Sequence, residues 1–205
     1  MTRAATVVLL RDTERGPQVL LLRRSARART FPGAWVFPGG AVEAEDGPQQ
    51  DEFTAHRAAA RETAEEAGIV VSPTDLVPWS RWRPPAEAPM RRETVYLVGA
   101  APDQTVVTDG VEIVDALWIT PVDALERHAT GDLELMPPTW LTLHDLAPAT
   151  SVAAVLATAP AEPEVYASTL RNLGGRTTLS WGGHRPDLDI TERPWRLVPA
   201  GRRRQ

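Results

Sequence analysis

The hydrophobic and polar positions of the chain predict a series of short strands near its start. Apolar runs at residues 4–10 and 18–24 flank a charged connection at residues 11–17, a pattern that predicts a β-hairpin. A short strand is predicted at residues 35–37, ahead of Pro38-Gly39-Gly40. Further strands are predicted at residues 69–71, 76–82, 92–100 and 111–119. Clusters of Pro, Gly and Asp separate these runs, so we expect a mixed or antiparallel sheet.

Helical periodicity is strongest at residues 48–67, where Asp46 or Gly47 marks the predicted start and Gly68 the predicted left-handed end. Shorter helices are predicted at residues 120–130, 137–146 and 151–158. Residues 159–163 are typical of a linker, and residues 202–205 of a frayed tail. We therefore expect a domain at residues 1–148 and a partly flexible, helical extension with an arm at residues 149–205.

The two faces of the long predicted helix differ in chemistry. A narrow stripe of mostly small apolar residues is expected to pack closely on another element, and it consists of Phe53, Ala60, Ala64 and Ala67. On the opposite side, Glu62, Glu65 and Glu66 are spaced i, i+3 and i+4, so their carboxylates crowd together. Such a cluster is either a solvated acidic face or a site for a hard divalent cation such as Mg²⁺ or Mn²⁺, which removes the repulsion.

Together with Phe37-Pro38-Gly39-Gly40, this helix resembles the Nudix hydrolase signature G-x5-E-x7-R-E-U-x-E-E-x-G-U, in which U is a bulky aliphatic residue. The second half of the signature is matched by Arg61, Glu62, Glu65, Glu66, Gly68 and Ile69. Twenty residues separate Gly40 from Arg61 where the signature has thirteen, and Phe53 stands at the glutamate position when counted back from Arg61. An insertion of seven residues explains this spacing. Four residues remain candidates for the missing carboxylate: Glu43, Glu45, Asp46 and Glu52.

The resemblance covers roughly residues 4–146 and implies an α/β fold: the Nudix α/β/α sandwich around a mixed β-sheet, here with extra C-terminal helices and an arm. It further implies metal-dependent water attack on the diphosphate of a nucleoside diphosphate derivative, with Mg²⁺ or Mn²⁺ as cofactor. The implied metal site comprises Glu62, Glu65, Glu66 and Gly39. Glu62 and Arg61 are the implied catalytic residues, with Arg61 orienting the glutamates through its planar fork.

An arginine-rich segment before the signature bears on the substrate. Residues 20–40 resemble the motif L-L-T-x-R-[SA]-x3-R-x3-G-x3-F-P-G-G of the coenzyme A diphosphatase branch, with Leu22 in place of the threonine. The resemblance implies substrate binding by Arg24, Arg29, Gly39 and Gly40, and cleavage of coenzyme A or acyl-coenzyme A to 3′,5′-ADP and a phosphopantetheine. A solvated basic loop is the alternative interpretation of the arginines.

Two other functions remain open at this point. An ADP-ribose or NADH pyrophosphatase would use the same signature, and a non-catalytic Nudix-like module would sense a nucleotide without cleaving it. The intact carboxylate cluster favours an enzyme.

The proton acceptor is expected at Glu62 or Glu112. Glu112 and Asp115 lie in or beside a strand that ends at Trp118. The alternative for both is an exposed surface position without a catalytic role. A carboxylate bound to a cation is a weaker base, so we favour Glu112.

Four tryptophans (Trp35, Trp79, Trp82 and Trp118) are expected mainly in the core, and the four histidines are expected to be structural or exposed.

Composition narrows the remaining possibilities. With no cysteine among 205 residues, disulfides, thiolate metal sites and a cysteine nucleophile are excluded. A formal net charge of -5 argues against a nucleic-acid partner, and the apolar runs are too short to cross a membrane. We therefore expect a cytoplasmic protein whose partner is a small nucleoside diphosphate substrate. The apolar residues 180–199 are expected to pack as an arm on the domain or on a second subunit of a homodimer.

Overall fold

The computed structural model describes residues 3–48, 50–88, 92–181 and 185–200. The helices are α1 (Phe53–Ala67), α2 (Pro121–Thr130), α3 (Pro137–Leu146) and α4 (Val152–Thr158), with 3₁₀ turns at Ala44–Asp46 and Pro73–Asp75. The strands are β1 (Arg3–Arg11), β2 (Gln18–Arg24), β3 (Trp35–Val36), β4 (Gly39–Ala41), β5 (Val77–Arg83), β6 (Glu93–Ala100), β7 (Ile113–Ile119), β8 (Glu164–Ala167), β9 (Thr169–Leu173), β10 (Arg176–Ser180), β11 (Asp187–Asp189) and β12 (Arg196–Val198).

The main sheet has the strand order β3-β2-β1-β6-β5-β8, with β4 paired to β1 and β7 paired to β2. The predicted hairpin of β1 and β2 is confirmed by their antiparallel pairing, in which Leu10 lies opposite Val19. Pairing of β1 with β6 and of β5 with β8 is parallel. The sheet is therefore mixed, as the sequence predicts.

Strand β1 explains how the layers form. Val7 and Leu9 belong to a buried cluster that includes the alanines of α1. Val8 and Leu10 point the other way, into a cluster shared with α2, α3 and α4. Alternate residues of a strand face opposite sides of the sheet, so a continuous apolar run is a strand buried on both faces. The α/β/α sandwich predicted from the sequence is confirmed.

Helix α1 differs from its prediction in its start and in its buried face. It begins at Phe53 rather than at Pro48, because the Pro48 carbonyl accepts hydrogen bonds from the Asp51 amide and the Thr54 hydroxyl in a preceding turn. Phe53 lies at the edge of the helix, where it stacks on His56 at 5.0 Å between ring centroids. The most buried alanines of α1, which pack on the sheet, are Ala55, Ala58, Ala59 and Ala67. The predicted apolar stripe and these buried alanines therefore share only Ala67.

The other helices follow local capping chemistry. Thr120 accepts a hydrogen bond from the Asp123 amide at the start of α2, and Gly131 ends that helix with φ 90°. Ser151 caps α4 in the same way.

The strand predicted at residues 69–71 is wrong, because Ile69 alone is buried there and the Val70 amide bonds to the side chain of Gln104.

The C-terminal part is mostly β-structure rather than helix. β8 extends the main sheet, and β9 to β12 form a second sheet in the order β12-β11-β10-β9. Leu179, Trp181 and Leu188 belong to the buried cluster that contains Trp82 and Tyr166 of the main sheet, and the Trp181 ring contacts both of those rings. Residues 185–200 thus pack on their own chain. Gly182, Gly183, His184 and the tail at residues 202–205 lie outside the described residues. None of the described helices has the length and hydropathy of a membrane span.

Candidate active site

Two glycines let helix α1 approach the sheet at the candidate site. Gly39 and Gly40 lie on β4, which pairs with β1. A Cβ atom at Gly40 would overlap the Glu62 carboxylate, and one at Gly39 would overlap the backbone of Ala5 and Thr6. Gly40 therefore permits Glu62 to pack directly against the backbone of β4, and Gly39 permits β4 to pack closely against β1.

The three glutamates of α1 lie in different environments. Glu66 is 6% exposed, and its Oε2 accepts a hydrogen bond of 2.9 Å from the Gly39 amide. The Glu62 side chain is 15% exposed, whereas that of Glu65 is 58% exposed. The carboxylates do not form one solvated patch, because the helix turns Glu66 toward the sheet and Glu65 toward solvent.

Arg61 hydrogen-bonds to two of these glutamates and to two residues outside the helix. Its Nη1 donates to Glu62 Oε1 and Glu65 Oε2, both at 3.1 Å. Its Nε and Nη2 bind the two carboxylate oxygens of Asp46 at 3.0 Å each, and Nη2 also donates to the Ala41 carbonyl at 3.0 Å. Burial alone would raise the pKa of Asp46, but hydrogen bonds from Arg61 and the Glu43 amide outweigh it and lower the pKa. Arg61 thus links the α1 glutamates to Asp46 and to the β4 backbone.

Of the four candidates for the missing carboxylate, Asp46 makes the shortest contacts with Arg61. It is 4% exposed and makes the bidentate contact with Arg61, whereas Glu45 approaches Arg61 only to 3.7 Å. Glu52 instead pairs with Arg81. Counted forward from Gly40, Asp46 also stands at the first carboxylate position of the signature. The insertion therefore follows this position, and Phe53 does not occupy it.

A cavity of about 1290 Å³ opens in front of the glutamates. The predicted site residues that line it are Arg24, Arg29, Gly39, Gly40, Glu62, Glu66 and Glu112. Arg61 and Glu65 lie outside its lining. The loop after β2, the β4 glycines and α1 therefore meet at one cavity, as the combined motifs predict.

Glu112 reaches the cavity from the segment before β7. Its Oε1 lies 2.6 Å from Arg24 Nη2, and its carbonyl accepts from the Ser25 amide at 2.7 Å. The Asp109 carboxylate accepts hydrogen bonds from the backbone amides of Val111, Glu112 and Ile113. These bonds fix the turn that presents Glu112. Sequence reasoning missed Asp109, although Asp-Gly before a strand is a turn signal.

Asp115 has a different environment from Glu112. It pairs with Arg23 at 3.4 Å and does not line the cavity. This position fits the surface interpretation better than a catalytic one.

The electrostatics of the cavity favour a cation. Burial raises the pKa of Glu66 to about 8, and the nearby charges of Glu62 and Glu112 add to this, while the Gly39 amide and Arg24 oppose it. Burial also raises the pKa of Glu62 against the opposing effect of Arg61. The ionised forms of Glu62 and Glu66 are therefore disfavoured unless a cation lies close to them.

The donor set fits Mg²⁺ or Mn²⁺ bound in part by substrate. Among the described residues, no group of three His, Asp or Glu side chains converges into a complete metal cluster. Glu62 and Glu66 nevertheless share one cavity wall. Mg²⁺ is commonly held by one or two carboxylates together with waters and substrate phosphates. Glu62 and Glu66 are thus the residues that would hold such an ion here.

Several cavity residues were not singled out from the sequence as site residues. Phe31 lies in the arginine loop with φ 50°, a left-handed conformation that is uncommon for a non-glycine residue, and its ring is 41% exposed. Trp82 lines the cavity as well as the core. Ser168 and Leu170 come from the C-terminal strands, for which the sequence offered no motif.

Comparison with known proteins identifies the family. A family model described as the NUDIX domain matches residues 1–138. The chain belongs to the NUDIX family. A curated NUDIX relative, nudix hydrolase 7 of Caenorhabditis elegans, is 27% identical over 171 residues, a match covering 66% of this chain and 57% of that protein. This NUDIX chain therefore matches little more than half the length of that relative.

Solved structures confirm the NUDIX fold. A NUDIX hydrolase from Alicyclobacillus acidocaldarius superposes with a TM-score of 0.72 at 23% identity, covering 80% of this chain and 98% of that one. The NUDIX domain of Shewanella oneidensis NrtR, complexed with ADP ribose, gives a TM-score of 0.55 at 18% identity, covering 76% of this chain and 87% of that one. At these identities the likeness establishes the fold and leaves the substrate open.

Proposed function

We propose that this NUDIX protein hydrolyses the diphosphate linkage of a nucleoside diphosphate derivative in the presence of a divalent cation. The observation that carries the proposal is the shared cavity, which brings Glu62, Glu66 and Glu112 together with Arg24 and Arg29. Diphosphate hydrolysis requires neutralisation of phosphate charge, an activated water and a proton acceptor. Each requirement has a candidate in this lining.

Different residues of the site are candidates for each of these tasks. A bound divalent cation would neutralise the diphosphate and acidify a coordinated water. Arg61 keeps Glu62 in place through the contact of 3.1 Å described above. Glu112 lies across from α1 on a fixed turn and is our candidate for the proton acceptor. Arg24 and Arg29 supply the planar donors that suit phosphate oxygens.

Coenzyme A or an acyl-coenzyme A is the substrate we favour, with 3′,5′-ADP and a phosphopantetheine as products. Four arginines line the cavity (Arg24, Arg27, Arg29 and Arg92), enough to bind a 3′-phosphate besides the diphosphate. The cavity volume of about 1290 Å³ exceeds the roughly 300–1,000 Å³ of common ligand pockets. Both features suit a large, multiply phosphorylated substrate.

ADP-ribose or NADH is the second candidate substrate. The structural relative from Shewanella oneidensis holds ADP ribose in the same fold. A purely sensing module is less well supported, because such a module has no need of three carboxylates in the cavity wall together with the arginines.

Turnover of a defined substrate panel tests the proposal. The purified protein is incubated with coenzyme A, acetyl-coenzyme A, ADP-ribose and NADH, with Mg²⁺ or Mn²⁺, and products are identified by mass spectrometry. We expect 3′,5′-ADP from coenzyme A. Cleavage of ADP-ribose or NADH alone would favour the second candidate, and binding without cleavage of any compound would favour the sensing module.

An arginine variant then tests recognition of the 3′-phosphate. Arg29→Gln should raise KM for coenzyme A at least about fivefold more than KM for 3′-dephospho-coenzyme A, since charge-assisted hydrogen bonds contribute roughly 1.5–3 kcal/mol. Equal changes for the two substrates would assign Arg29 to the diphosphate or to the loop structure.

A further inference from the structure

The C-terminal strands supply one wall of the active-site cavity, although they lie beyond residues 1–138, the part matched by the NUDIX family model. The described residues that this part of the chain contributes to the lining are uncharged: Ser168, Leu170, Leu179 and Ile190. This wall contrasts with the carboxylates and arginines contributed by α1 and by the loop after β2. The cavity therefore has a charged part and an uncharged part.

Strand pairing shows that this wall is one continuous surface. Leu170 of β9 lies directly opposite Leu179 of β10, so both side chains point to the same face of the small sheet. Ser168 and Leu170 also follow Tyr166 at a spacing of two, which places all three on one side of an extended chain. Leu170 is 41% exposed and lines the cavity, so its side chain is accessible to a ligand there.

Ser168 provides a polar group within this apolar wall. Its side chain is buried, its residue being 9% exposed, and its Oγ has no hydrogen-bond partner among the described residues. A buried hydroxyl without a partner is unfavourable in the free protein, so a ligand that bonds to it would recover that free energy. The amide of Ser168 is already used, because it donates to the Arg83 carbonyl at 2.9 Å.

The order of the main sheet separates the two parts of the cavity. Arg24 ends β2, and Ser168 follows β8, which lies four strand positions away in the order β2-β1-β6-β5-β8. At about 4.8 Å between neighbouring strands, this separation is roughly 19 Å. An occupant that contacts both parts must therefore be elongated, with its phosphates at one end and an uncharged group at the other.

We propose that Ser168, Leu170, Leu179 and Ile190 form a subsite for an uncharged, largely apolar chain of the substrate, and that the Ser168 hydroxyl turns toward the cavity to hydrogen-bond to an amide or carbonyl group in that chain. The inference rests on the proposed diphosphate hydrolysis and extends it by defining the second moiety of the substrate. Such a subsite discriminates among diphosphates by the group that the nucleotide carries.

Kinetics of matched variants test the subsite. Leu170→Asp places a charge in the wall and should raise KM for hexanoyl-coenzyme A at least about tenfold, with kcat nearly unchanged and a smaller effect on ADP-ribose. Val165→Asp is the control, since Val165 is also 41% exposed but lies outside the cavity lining. An unchanged KM in Leu170→Asp, or a parent enzyme that cleaves ADP-ribose as efficiently as hexanoyl-coenzyme A, would overturn the inference.

A binding measurement separates this inference from the proposed hydrolysis. S-hexanoylpantetheine carries the uncharged chain without any phosphate, and its affinity is measured by calorimetry. Ser168→Ala should weaken binding roughly three- to tenfold without lowering Tm, because the hydroxyl has no partner in the free protein. Should no diphosphate be cleaved, the hydrolysis proposal fails while this measurement still decides the subsite. No binding to the parent, or equal binding to parent, Ser168→Ala and Leu170→Asp, overturns it.

Discussion

Glu62, Glu65 and Glu66 occupy one turn of α1, yet each experiences a different balance of burial and charge. Glu66 loses most of its hydration and gains one backbone amide at 2.9 Å. Glu65 remains hydrated and pairs with Arg61. Burial therefore raises the free energy needed to ionise Glu62 and Glu66. A bound divalent cation would stabilise the ionised carboxylates of Glu66 and Glu62, the two more buried members of this group.

Replacing Glu66 should affect catalysis more than replacing Glu65. Glu66→Gln removes a charge from the cavity wall with little change in volume, and we expect kcat to fall at least about 100-fold, equivalent to roughly 3 kcal/mol of transition-state stabilisation. Glu65→Gln leaves the cavity lining intact and should cost less. Metal-dependent turnover and metal affinity of both variants are measured. Equal losses, or unchanged turnover and affinity in both variants, would contradict the assigned metal site.

Glu112 can be tested as the proton acceptor separately from the metal ligands. Glu112→Gln should lower kcat by about 10² to 10⁴, the usual contribution of general base catalysis, while metal affinity changes little. Asp115→Asn is the matched control, because Asp115 lies outside the cavity lining. A Glu112→Gln variant with nearly parental kcat would transfer the role to Glu62.

At the scale of elements, the predictable features are those fixed by local chemistry. Gly68 ends α1 with φ 67°, and Thr120 caps α2, because a left-handed end and a first-turn acceptor need few neighbours. The contact of Asp46 with Arg61 is harder to predict, since it spans fifteen residues and an insertion, although Asp46 stands at the first carboxylate position when counted forward from Gly40. Burial of Glu66 was also missed. Alanines lie on both sides of the helix, so the apolar period alone does not define which face packs on the sheet.

Helix α2 contains a buried histidine that couples its last turn to the C-terminal segment. His128 is fully buried, its Nδ1 lies 3.0 Å from the Leu133 carbonyl, and its ring meets Trp195 edge-on at 4.4 Å between centroids. Burial and the charge of Arg193 lower the pKa of His128 against the opposing effect of the Leu133 carbonyl. The folded state therefore favours the neutral ring.

This histidine should make stability depend on pH. The unfolded chain binds a proton near its ordinary pKa of 6.5 and the folded chain at lower pH, so stability is complete above about 6.5 and falls as the pH drops below it. The loss approaches about 1.4 kcal/mol per pH unit at most. His128→Gln should flatten Tm between pH 7.5 and 5, whereas His144→Gln, at a side chain 45% exposed, should not. Parallel Tm profiles for parent and His128→Gln would refute this coupling.

At the scale of the whole molecule, the core and the cavity both depend on residues far apart in the chain. Trp82 of β5 stacks on Tyr166 of β8 at 4.3 Å and meets Trp181 edge-on at 5.9 Å. These aromatic contacts join the main sheet to the C-terminal strands beneath the uncharged wall of the cavity. Long-range packing of this kind leaves no short motif, so the sequence predicted an arm without its structure or its part in the site.

The same packing links the C-terminal strands to the domain predicted to end at residue 148. A truncated chain tests whether that domain folds without these strands. Among the described residues, a chain ending at Ala159 loses four buried aromatic or aliphatic side chains, namely Tyr166, Leu179, Trp181 and Leu188. Burial of each contributes roughly 1.5–3 kcal/mol, and their sum is comparable to the roughly 5–15 kcal/mol stability of a typical domain. We therefore expect the truncated chain to aggregate or to unfold without a cooperative transition in circular dichroism. A chain ending at Ala200 keeps every C-terminal strand and should melt like the parent. Cooperative melting of the shorter chain within a few degrees of the parent Tm would instead show that residues 1–159 fold independently.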